Sequence, residues 1–104
     1  MNYIVVFITA SSKKEAEKIA QGLVKNRLAA CVNIIGAVDS VFSWKNKIEC
    51  AKEAMLIVKS QKKNLNRIIE NVRRLHSYQV PEIIAVPIVG GFNKYLNWIK
   101  DETD

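Results

Sequence analysis

The side chains best suited to chemistry crowd into one stretch, His76-Ser77-Tyr78-Gln79-Val80-Pro81-Glu82. It holds the chain's only histidine, one of its two prolines, a phenol and a carboxylate. A neutral imidazole is a good ligand for borderline metals, and Cys31 is the soft donor that would complement it. The same histidine would also suit a helix end, where the dipole favours a cation. Any Ser-His-Asp or Cys-His arrangement must use His76, and no nucleophile-elbow sequence accompanies it. The stretch therefore points to binding or to a structural corner rather than to catalysis.

Other chemistries lack their motifs. There is no G-x-x-x-x-G-K-[ST] or G-x-G-x-x-G to cradle phosphates, and no H-E-x-x-H. The two cysteines, Cys31 and Cys50, form no C-x-x-C and no disulfide framework. Each lies inside an apparent strand, where a thiol ordinarily serves as a small buried hydrophobe. The net charge of +6 comes from 16 basic and 10 acidic residues. These are interspersed, and the chain ends on Asp101-Glu102-Thr103-Asp104, so the pattern reads as a solvated surface and not as a nucleic-acid face. No apolar run reaches the roughly 18–20 residues that span a bilayer. Met1-Asn2-Tyr3 enters a strand pattern with no basic region or cleavage site, so no membrane association and a cytoplasmic location are expected.

The elements that must position the 76–82 stretch can be read in order. Residues 3–9 (YIVVFIT) form a β-branched and aromatic run suited to a central strand. Ser12 and Glu15 have capping-box spacing, and Ala16, Ile19, Ala20, Leu23 and Val24 mark one face of a first helix. Residues 28–44 read as a long strand, with Gly36 a site for a bulge or bend. Lys45-Asn46 turns the chain, since asparagine tolerates the left-handed conformation of tight hairpins. A third strand returns over residues 47–60.

Ser60 is placed to cap a second helix whose apolar face is Leu65, Ile68, Ile69, Val72 and Leu75. Pro81 disfavours helix at Val80, so the chain turns extended into a fourth strand over 82–86. Pro87 puts the end of that strand at an edge. Gly90-Gly91 forms a turn, and residues 93–100 form a short C-terminal helix.

The order β-α-β-β-α-β plus a terminal helix defines an α+β, ferredoxin-like sandwich in one domain over 1–104. Its hairpin arms far exceed the usual 5–6-residue strand, so the tip projects and leaves unpaired edges. Trp44 stands at that tip, a position better suited to an interface than to the core of a lone subunit. Self-association follows. Lys59, at the end of the third strand, could meet an anion or extend to solvent.

Several segments together resemble the CutA family of divalent-cation tolerance proteins. They are Leu28-Ala29-Ala30-Cys31-Val32-Asn33, Ser43-Trp44-Lys45-Asn46-Lys47-Ile48-Glu49, Glu53 with Ile57-Val58-Lys59-Ser60, His76-x-Tyr78-x-x-Pro81-Glu82-Ile83, and Tyr95-Leu96-x-Trp98-Ile99. The resemblance implies a tight homotrimer, association with copper and other divalent cations, and no agreed enzymatic reaction. It also implies an assembly like that of the PII signalling trimers, in which an anionic metabolite would sit between subunits. Ser77 stands where proline is common, Leu75 supplies no second histidine, and Asn46 replaces the usual hairpin glycine. On this basis the expected metal ligands are Cys31, His76 and Glu82. The expected inter-subunit cleft contains Trp44, Lys59, Tyr78 and Trp98.

Overall fold

The computed structural model describes residues 2–104. Its strands are β1 (Tyr3–Ala10), β2 (Cys31–Trp44), β3 (Lys47–Gln61) and β4 (Ile83–Pro87). Its helices are α1 (Lys13–Lys25), α2 (Leu65–Leu75) and α3 (Asn93–Thr103). The strands form one antiparallel sheet in the order β2-β3-β1-β4. This is the ferredoxin-like arrangement expected of a split βαβ unit.

Period-two alternation sends one set of side chains to each face of the sheet. Ile4, Val6 and Ile8 of β1 join Leu56 and Val58 of β3 on the inner face. There they pack against Ile19 and Leu23 of α1 and Ile68 and Val72 of α2. The opposite face is covered at one end only, where Tyr3 and Ala30 pack under Ile99 of α3, flanked by Ile88 and Leu96. Val5, Phe7, Ile57, Met55, Ile84 and Val86 occupy the rest of that outer face, as their registers show.

The long hairpin draws the molecule out to 44 Å against 25 and 23 Å in the other directions. Its turn residues Lys45 and Asn46 both have positive φ, 50° and 64°, the conformation a two-residue I′ hairpin demands. The bulge falls where Gly36 predicts it, with the β2–β3 register slipping between Ile35 and Val38. The Ser12 side chain caps α1 by accepting from the Glu15 N–H at 3.1 Å.

Three expectations are corrected. Ser60 does not cap α2: β3 runs on to Gln61, a 3-10 turn over Lys62–Asn64 intervenes, and the Ser60 hydroxyl donates instead to the Leu28 carbonyl at 2.6 Å. Cys50 is exposed, because it lies on the hairpin arm that projects beyond the body, and Cys31 is only partly buried. Val24 is 45% exposed although it fits the helical period, because it falls at the flank of the buried face formed by Ala16, Ile19, Ala20 and Leu23.

Candidate functional site

The 76–82 loop links the helix layer to β4 across the end of β1. Its first residue ends α2, with the His76 N–H donating to the Val72 carbonyl at 2.9 Å. The imidazole then folds into the protein. Its Nε2 lies 2.7 Å from the Thr9 carbonyl, and its Nδ1 accepts the Tyr78 N–H at 3.0 Å. A carbonyl can only accept, so Nε2 carries the hydrogen and Nδ1 is bare. Both ring nitrogens are occupied, and the side chain has no exposed surface.

Beside the ring, Glu15 joins the start of α1 to the loop. Its Oε1 accepts from the Ser11 N–H at 2.9 Å and the Ser11 hydroxyl at 3.0 Å, and its Oε2 from the Ser77 N–H at 2.9 Å. Partial burial pushes this carboxyl up, but the Ser11 and Ser77 hydrogen bonds outweigh that and bring it from 4.5 down to about 2. The Tyr78 ring lies 4.8 Å from the His76 ring, and its hydroxyl donates to Glu53 Oε2 at 2.8 Å. Burial first, then the hydrogen bond and charge of Glu53, push the Tyr78 phenol up to about 12. It therefore stays a donor.

A second polar group lies at the opposite end of the sheet, beside α3. Lys59 Nζ stands 3.8 Å from Cys31 Sγ, and Asn33 Oδ1 stands 4.0 Å from the same sulfur. Burial first, then the charge of and hydrogen bond with Cys31, raise the Tyr95 phenol above its ordinary value. Tyr95 stacks on Trp98 with centroids 5.5 Å apart.

The expected metal ligands do not meet within one subunit. Cys31 is level with Val5 through Lys59, whereas His76 is level with Thr9. Four residues along β1 separate those levels by roughly 13 Å, with two strand spacings more across the sheet. Glu82 is exposed at the mouth of β4. Among the described residues no group of three His, Cys, Asp or Glu side chains could hold a metal ion. A ring with both nitrogens hydrogen-bonded is also a poor fit for a metal. The four expected cleft residues are likewise dispersed, with Lys59 and Trp98 at the α3 end, Tyr78 at the loop and Trp44 at the hairpin tip.

Sequence reading missed Glu15 as the tether of the loop and did not see Tyr95 beside Cys31. The Glu15 signal was present as a capping box. Its carboxylate reaches Ser11 and Ser77 and not the Ser12 N–H.

A split βαβ subunit with a projecting hairpin and a half-covered sheet defines a ferredoxin-like protein with one face left open. The model of the CutA1 divalent ion tolerance protein family matches residues 4–102, and the chain belongs to that family. A divalent-cation tolerance protein CutA of Archaeoglobus fulgidus is 45% identical over 98 residues, which cover 94% of each chain. The chloroplastic CutA protein of Arabidopsis thaliana is 42% identical over 100 residues. That match covers 96% of this chain but 55% of the relative, so the chain spans just over half its length. A solved structure from Archaeoglobus fulgidus, described as a periplasmic divalent cation tolerance protein CutA, superposes with a TM-score of 0.96 at 40% identity. The superposition covers 98% of this chain and 99% of that one.

Proposed function

We propose that this chain acts as a homotrimer in divalent-cation tolerance, binding copper or a related cation, and that it is not an enzyme. The observation that carries the assembly is the open outer face of the sheet. Ile84 and Val86 are 54% and 42% exposed there, and the hairpin adds Phe42 at 42% and Trp44 at 52%. A contiguous apolar surface of this kind marks an interaction site. Relatives named for divalent-cation tolerance support the cation half of the reading.

Thiolate and imidazole donors suit copper(I) or zinc better than magnesium or calcium. Cys31 keeps its place as the soft donor, with any further ligand coming from another subunit, because His76 is committed to the fold. Glu15, held ionised, and Tyr78, held protonated, support a binding role over acid–base catalysis. A cytoplasmic location is part of the proposal, supported by the two free thiols. Copper titration tests the cation half. Cys31→Ser weakens binding while the assembly persists, and unchanged titration rejects Cys31 as a ligand.

A second reading is a PII-like trimer that binds an anionic metabolite between subunits. It draws on Lys59, a part-buried cation on the outer face that forms no ion pair among the described residues. Thermal-shift measurements with metals and with nucleotides separate the two, because a ligand of the folded state raises its stability.

A further inference from the structure

Glu53 is a carboxylate only 9% exposed whose one hydrogen-bond partner among the described residues is the Tyr78 hydroxyl, and no cation lies within ion-pair distance of it. A buried carboxylate without a cation is costly, so this is an incomplete site. Alternation along β3 puts Glu53 on the outer face with Met55 and Ile57, at the level where the hairpin leaves the body. Six residues nearer the tip, the same face of the same strand carries Lys47, directly across from Trp44. Lys47 is exposed and has no hydrogen bond or ion pair among the described residues. Glu53 at the base of this face lacks a cation, and at the tip Lys47 forms no ion pair even with Glu49, two residues along on the same face. Glu53 and Lys47 stand roughly 20 Å apart along an extended strand and cannot meet within one subunit.

We propose that Glu53 is the receptor for Lys47 from a second copy of this chain, whose hairpin tip lies across the outer face. The charges are complementary, and Trp44 accompanies Lys47, so docking buries the exposed indole against the apolar face in the same step. The contact joins the tip of one copy to the base of the next. It is therefore heterologous, and such contacts generate closed rings when the rotation allows. This inference rests on the homotrimer reading and names the contact that builds it.

A charge-neutral double-mutant cycle on the full chain tests the pairing, with assembly followed by light scattering on dilution. Lys47→Gln and Glu53→Gln each weaken association at least tenfold, and the double variant is no weaker than the worse single one. Glutamine keeps an acceptor for Tyr78, so Glu53→Gln remains folded. Lys45→Gln, at the turn and off this face, leaves association unchanged. Additive losses from Lys47→Gln and Glu53→Gln overturn the pairing while the trimer stands, as does a loss from Lys45→Gln equal to that from Lys47→Gln. A wild-type chain that stays monomeric at all concentrations overturns the trimer reading together with the pairing.

Discussion

His76 looks like a ligand in sequence and acts as a clamp in the structure. Its ring ties the Thr9 carbonyl of β1 to the Tyr78 N–H of the loop, so its removal leaves buried backbone groups without partners. His76→Ala is expected to cost about 2–4 kcal/mol in urea unfolding while copper affinity changes little. Loss of copper binding at unchanged stability would restore the ring as a ligand. Glu15 gives the loop its acid sensitivity. Its folded pKa of about 2 lies below the ordinary 4.5, so the stability it contributes is present above pH 4.5 and lost as pH falls toward 2. That loss is on the order of 2–3 kcal/mol. Glu15→Gln should lower stability at pH 7 and flatten the acid limb; an unchanged acid limb would show that the carboxylate is not the tether. These residue roles were not legible in the sequence, because the partners Thr9 and Ser77 lie 67 and 62 positions away from His76 and Glu15.

At the scale of elements the sequence was more informative, because period and turn chemistry are local. The Ser12 cap, the Gly36 bulge and the Lys45-Asn46 turn all stand where their side-chain chemistry puts them. Asn46 holds φ at 64°, a conformation that alanine adopts at a cost of roughly 1–2 kcal/mol. Asn46→Ala should therefore lower the thermal midpoint, and Asn46→Gly should not. Equal behaviour of the two would show that the turn is not held in the left-handed region. Ser60 misled because α2 begins only at Leu65, and the Leu28 carbonyl takes the Ser60 hydroxyl. The cysteines misled because a strand position does not guarantee cover: Cys50 lies on the hairpin arm beyond the helix layer. In this fold α1 and α2 cover a single face, and the outer sides of β2 and β3 stay open.

That open face governs the whole molecule. A hairpin that extends a 104-residue chain to 44 Å and carries exposed Phe42 and Trp44 has no partner inside the subunit. The dispersed cleft residues have the same explanation. Lys59, Tyr78, Trp98 and Trp44 lie at three separate places on one subunit, and only neighbouring copies could bring such places together. Sequence spacing could reveal the hairpin's excess length but not which groups converge across a subunit boundary. Sedimentation equilibrium of the wild-type chain tests this account most directly. The predicted result is a single species with the mass of three chains across a wide concentration range, and a single-chain mass at micromolar concentration would contradict it.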